Sequence, residues 1–128
     1  MKIRQSALDA IFAHATRDAP NECCGLLIGA ADEIQEAVAA RNVADDPRRR
    51  YEVSPADHFA QIKRCRQEQL HIVGVYHSHP HSQPVPSPTD LGLAFTDFLF
   101  VIAGAGDVRG YRLNDGAFEE VRLERTRR

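Results

Sequence analysis

The chain has 128 residues, 43% of them apolar and 27% charged, which supports one compact domain over residues 1–128 and is too short for two ordinary ones. Sixteen Lys and Arg against eighteen Asp and Glu leave a net charge of −2, which excludes the broadly basic surface of a nucleic-acid binder. The longest apolar runs fall well short of the roughly eighteen residues that span a bilayer, so neither nucleic acid nor membrane is an expected partner.

The N-terminus, Met1-Lys2-Ile3-Arg4-Gln5, has no apolar stretch behind its charges and predicts no secretory signal. Ser6 with Asp9 three residues on resembles a capped helix start, and Leu8, Ile11, Phe12 and Ala15 recur at helical spacing as a buried face. Pro20 ends that helix. Cys24 to Gly29 is short, apolar and bounded by glycine, which suits a buried strand. Cys23, Cys24 and Cys65 are an odd set in which neighbouring cysteines cannot bridge without strain, so reduced thiols in a cytoplasmic protein are expected. Residues 33–40 read either way: Ile34, Glu36 and Val38 alternate as in a strand, while the alanines permit a helix.

Residues 41–53, with Asp45-Asp46-Pro47 and Arg48-Arg49-Arg50, read as an exposed loop. Ser54-Pro55 supplies an N-cap with proline at the first helical position, and Asp57, Phe59, Ile62 and Leu70 fit the helix that follows. Ile72 to His79 is a strand stopped by Pro80. Prolines at 80, 84, 86 and 88 make the next segment an irregular loop, after which Ser87-Pro88-Thr89-Asp90 opens a third helix through Phe95. Phe98 to Ala103 and Val108 to Leu113 are strands, and Asn114-Asp115-Gly116 turns the chain into a last strand over 117–123. Helices combined with a mainly antiparallel sheet give an α+β fold.

The chemistry concentrates in His77-Ser78-His79-Pro80, Ser87 and Asp90. Side chains alternate along a strand, so His77 and His79 point to one face. Asp90, one loop later in the first turn of a helix, can return a carboxylate to the same point. Two histidines and one carboxylate suit a catalytic zinc with a fourth position open to water, and the nitrogen donors disfavour magnesium and calcium. Glu22, between the end of a helix and an apolar strand, is the candidate acid and base. Each feature alone also has a purely structural reading. Two histidines on an edge strand are commonplace, Ser87 and Asp90 form an ordinary helix cap, and a lone glutamate is usually solvated.

Other groups rank lower. Cys23 or Cys24 with a histidine would suggest a cysteine peptidase, but both lie in or beside an apolar run where thiols are inert. Arg48–Arg50 and Arg122, Arg125, Arg127 and Arg128 read as solvated surface. His14, His58 and His71 lack a spacing partner and are expected at the surface, and Pro80 breaks the alternation that would align His81 with His79.

The run Pro20-Asn21-Glu22-Cys23-Cys24-Gly25-Leu26-Leu27-Ile28-Gly29, together with His77-x-His79-Pro80-x6-Ser87-x-x-Asp90, resembles the motif of the JAMM (MPN+) metalloproteases, in their small stand-alone bacterial form. The resemblance covers nearly the whole chain. It implies a cytidine-deaminase-like α+β fold, a curved mixed sheet flanked by helices. It also implies that His77, His79 and Asp90 bind zinc, that Glu22 is the acid and base, and that Ser87 assists at the oxyanion. The implied partner is a ubiquitin-like or sulfur-carrier protein, cleaved after its Gly-Gly in C-terminal tail processing. Such a tail could dock by strand addition at a sheet edge, with residues 41–53 and 81–86 as walls. The alternatives are a desampylase-like isopeptidase that frees lysines from ubiquitin-like modifiers, and a non-catalytic MPN scaffold.

Overall fold

The computed structural model describes residues 1–88, 90 and 98–127. Among the described residues the elements in chain order are β1 (Lys2–Arg4), α1 (Gln5–Asp18), β2 (Cys24–Ala30), β3 (Glu33–Ala40), α2 (Pro55–Glu68), β4 (His71–His79), β5 (Leu99–Gly104), β6 (Asp107–Asn114), β7 (Ala117–Val121) and β8 (Glu124–Thr126). The strands form one eight-stranded sheet in the order β7-β6-β5-β4-β2-β3-β1-β8. Its β2/β3, β2/β4, β5/β6 and β6/β7 pairs are antiparallel, and its β1/β3, β1/β8 and β4/β5 pairs are parallel. The sheet is therefore mixed, with antiparallel pairs in the majority as expected.

Alternation along the strands sorts the core onto two faces. Leu27 of β2, Tyr76 of β4 and Val101 of β5 pack with Leu8 and Ile11 of α1. Leu26, Val75, Phe100 and Ile102 form a second cluster with Tyr111 of β6. The expected helix at the N-terminus forms, but its N-cap is Arg4 with no side-chain cap hydrogen bond, so Ser6 is not the cap. Leu8 and Ile11 are buried, whereas Phe12 and Ala15 are half-buried. Ser54 caps α2 as expected, accepting a hydrogen bond from the Asp57 N–H.

Residues 33–40 resolve as strand, because β3 is held between β2 and β1; tertiary pairing overrides the helical tendency of its alanines. The last strand is split, β7 ending at Val121 while β8 turns to pair with β1 at the other edge. The three-residue β1 and β8 were too short for periodicity to register. The third helix, expected through Phe95, falls mostly outside the described residues. The expected sheet edge beside the site meets a correction: β4 pairs with β2 from His71 to His77 and with β5 as far as His79, and among the described residues the edges of the sheet are β7 and β8. The walls of the site must come from loops. Among the described residues, no helix is long and apolar enough to cross a membrane.

Candidate metal centre

β4 carries both histidines on the face that also bears Val75. His77 lies in register between Cys24 of β2 and Ile102 of β5, which leaves it 1% exposed. Two residues on, His79 pairs with Gly104, and it is buried as well. The C-terminal end of this interior strand thus aims two imidazoles in one direction.

Asp90 completes the cluster. Its Oδ1 lies 3.0 Å from His77 Nε2 and its Oδ2 lies 3.1 Å from His79 Nε2, while the two Nε2 atoms are 3.1 Å apart. The Ser87 N–H donates to Asp90 Oδ2 at 2.9 Å, and the Asp90 N–H donates to Ser87 Oγ at 3.1 Å. That reciprocal pair fixes the carboxylate as a helix start does. Burial works against the Asp90 charge, yet the hydrogen bonds from His77, His79 and the Ser87 N–H hold its carboxyl well below the usual range. Burial also pushes the His77 pKa down.

The donor set fits a small divalent cation. His79 Nδ1 faces the Gln83 carbonyl at 2.9 Å, an atom that only accepts, so Nδ1 must donate. The other nitrogen, Nε2, then turns its lone pair toward a carboxylate and a second imidazole, an arrangement that needs a proton or a cation between them. Although burial opposes it, the hydrogen bonds with Asp90 and Gln83 raise the His79 pKa, as expected where a proton fills that role. Tetrahedral ligands at zinc distances lie roughly 3.3 Å apart, close to the spacings observed. Among the described residues, His77, His79 and Asp90 are the group gathered closely enough to share an ion.

Glu22 follows α1 and is pinned by its backbone to the 41–53 segment. Its N–H donates to the Pro47 carbonyl at 2.7 Å, and its carbonyl accepts from Asn42 Nδ2 at 3.0 Å. Asn42 organises that segment, donating also to the Arg50 carbonyl and accepting from the Ala44 and Glu52 N–H groups. The Glu22 residue is 6% exposed, and its Oε1 has no hydrogen-bond partner among the described residues. Burial raises its carboxyl to about 7; His79 pulls it down and Asp90 pushes it up. A buried, unpaired carboxyl that senses both His79 and Asp90 is a candidate proton carrier.

Two aromatic residues escaped the sequence reading. Tyr51 is buried and its ring stacks on His77, centroids 4.3 Å apart and planes inclined by 19°. Tyr111 donates its hydroxyl to the Pro84 carbonyl at 2.8 Å, tethering the loop after β4. The signal for Tyr51 was a lone aromatic in an otherwise charged stretch; for Tyr111 there was none, since any strand facing a core carries such a residue.

The lower-ranked groups take other roles, although Cys24 is the cross-strand neighbour of His77. Cys23, Cys24 and Cys65 are free and buried, and burial pushes the Cys23 and Cys24 thiols up to about 11 and about 12, too high for a nucleophile at neutral pH. His71, His81 and Arg48–Arg50 are exposed. His14 corrects the expectation of a surface histidine. It lies on the buried face of α1, with Nδ1 2.8 Å from the Tyr76 hydroxyl and Nε2 3.0 Å from Asp18 Oδ2. Two polar partners make burial of the ring tolerable.

Residues 4–114 match the family of prokaryotic homologs of the JAB domain. The chain is 38% identical to the desampylase of Haloferax volcanii over 96 residues, covering 70% of this chain and 69% of that protein. It is 31% identical to the CysO-cysteine peptidase of Mycobacterium tuberculosis over 126 residues, covering 92% and 86%. A solved structure described as a metalloprotease-like JAMM zinc site in the proteasome and signalosome superposes with a TM-score of 0.64 at 26% identity, covering 98% of this chain and 97% of that one. The fold is thus the one that the JAMM motif implied, and the chain belongs to the prokaryotic JAB-domain family of JAMM-type hydrolases.

Proposed function

We propose that this chain is a zinc-dependent peptidase or isopeptidase that hydrolyses the amide bond following the Gly-Gly of a ubiquitin-like, sulfur-carrier-type protein. The observation that carries the reading is the convergence of His77 Nε2, His79 Nε2 and the Asp90 carboxylate within about 3 Å of one another. His77, His79 and Asp90 would hold the metal. Bound there, zinc would polarise the substrate carbonyl and bring the pKa of a coordinated water to about 7.

The protein's own groups supply the rest. Glu22, with a carboxyl raised to about 7, takes a proton from the attacking water as its oxygen bonds to the carbonyl carbon, and returns it to the amine nitrogen as the C–N bond breaks. Ser87 Oγ accepts the Asp90 N–H with one lone pair, which leaves its O–H free to donate to the developing oxyanion. Cap and catalyst are compatible roles. The 41–53 segment, tied to Glu22, and the loop after β4, tied to His79, would wall the approach of an extended tail.

Two substrate forms follow from the relatives' names. A CysO-cysteine peptidase parallels removal of a C-terminal extension, and a desampylase parallels release of a modifier from a protein. Coverage does not separate the two: a probable TtuB-protein conjugate cleaving protease of Thermus thermophilus matches over 94% of this chain and the CysO-cysteine peptidase over 92%. A full ligand set argues against a purely scaffolding role, and buried free cysteines suit a single-domain enzyme of the reducing cytoplasm. The test is intact mass spectrometry of sulfur-carrier proteins extended beyond Gly-Gly, and of lysine conjugates, incubated with the zinc-loaded chain. Loss of the extension supports tail processing; loss only from lysines selects the isopeptidase; intact substrates of both kinds end the proposal.

A further inference from the structure

The loop after β4 reaches the metal centre through a carbonyl, and two residues distant in sequence decide where that carbonyl stands. His79 is paired with Gly104 on β5. A Cβ at Gly104 would lie 2.5 Å from the Ser82 carbonyl oxygen and 3.1 Å from the Pro84 nitrogen, so loop backbone occupies the place a side chain would take. One residue after Gln83, the Pro84 carbonyl accepts the buried Tyr111 hydroxyl at 2.8 Å. Pro84 itself is fully buried. Between these two anchors lies the Gln83 carbonyl, 2.9 Å from His79 Nδ1.

From this we infer that Gly104 and Tyr111 are positioning residues for the metal ligand His79. The missing side chain at 104 lets the 82–84 backbone settle beside the imidazole, and the Tyr111 hydroxyl holds it there. The Gln83 carbonyl then fixes the proton on Nδ1 and keeps Nε2 directed at Asp90. Outer partners of this kind commonly change metal affinity by about 10–100-fold when removed. A backbone carbonyl cannot be deleted by substitution, so its control falls to the residues that seat the loop.

The inference rests on the zinc reading, and the experiment separates the two. Zinc affinity of the full chain is measured by competition with a chromophoric chelator, and the tautomer of His79 by imidazole nitrogen NMR, for wild type, Tyr111→Phe and Gly104→Ala. Tyr111→Phe keeps the ring that packs beside Phe118 and removes only the hydroxyl. Expected are zinc binding weakened on the order of tenfold and a His79 no longer held as the Nδ1–H tautomer, with the larger effect at Gly104→Ala. A purely structural role would lower thermal stability while leaving affinity and tautomer at wild-type values, and that result in Tyr111→Phe overturns the inference even if Gly104→Ala does not fold. Failure of the wild type to bind zinc overturns the metal reading and this inference with it.

Discussion

The Tyr51 ring lies nearly parallel to the His77 imidazole, with centroids 4.3 Å apart, and His77 Nδ1 has no hydrogen-bond partner among the described residues. A metal-binding histidine is ordinarily held by a hydrogen bond at its second nitrogen. His79 has one in the Gln83 carbonyl; His77 relies on packing. An aromatic contact of this kind is worth about 0.5–1.5 kcal/mol beyond area burial. Tyr51→Phe should therefore bind zinc as the wild type does, while Tyr51→Ala should bind it up to about tenfold more weakly. Chelator competition checks both, and equal affinity in Tyr51→Ala would leave the stack no part in ligand orientation.

The cluster was readable in the sequence because its parts obey local rules. His77 and His79 are two apart on one strand, and Ser87 and Asp90 form a helix start in which each side chain accepts the other's backbone N–H. Three other features were not local. Glu22 is placed by contacts of its backbone with Asn42 and Pro47, and Tyr111 is tied to the loop after β4 by its bond to Pro84, 27 residues away. His14 is buried because Tyr76, on a strand 62 residues later, offers it a hydroxyl. The sheet order was equally hidden, since β1 and β8 come from opposite ends of the chain and pair with each other.

Gly25 records how closely β2 and β4 approach around Tyr76. A Cβ there would stand 2.3 Å from Tyr76 Cε1 and 2.4 Å from the Val38 carbonyl oxygen. Neither neighbour yields easily, one being a ring clamped by His14 and the other strand backbone. Gly25→Ala should cost about 1–3 kcal/mol as an overpacked core does, read as a lower urea midpoint at unchanged slope. A midpoint within error of wild type would mean that Tyr76 is free to move aside.

Ser54 serves two elements at once. Its Oγ accepts the Asp57 N–H at 3.3 Å to cap α2, and accepts Arg41 Nη2 at 3.2 Å from the end of β3. Ser54→Ala should lower stability by about 1 kcal/mol, while Ser54→Asp should recover most of it by keeping an acceptor at the cap. Denaturation of the metal-free protein tests the pair, and an alanine variant as stable as wild type would remove the cap from the account of α2.

Glu22→Gln separates chemistry from metal binding and carries a pH signature. Glutamine matches the shape of Glu22 but cannot carry the proton, so turnover should fall by about 10²–10⁴-fold while zinc affinity persists. In the metal-free protein the sign of the stability change follows from the raised carboxyl. Below its ordinary value of 4.5 the group is protonated whether folded or unfolded and costs nothing. As pH rises from there through about 7, the unfolded chain releases the proton while the folded one resists, so the wild type loses stability. Glutamine cannot ionise and escapes that loss. Glu22→Gln should therefore melt higher than wild type at pH 8 in the presence of a chelator, with the gap closing toward pH 4. A gap independent of pH would show that Glu22 is not the buried acid whose proton the reaction uses.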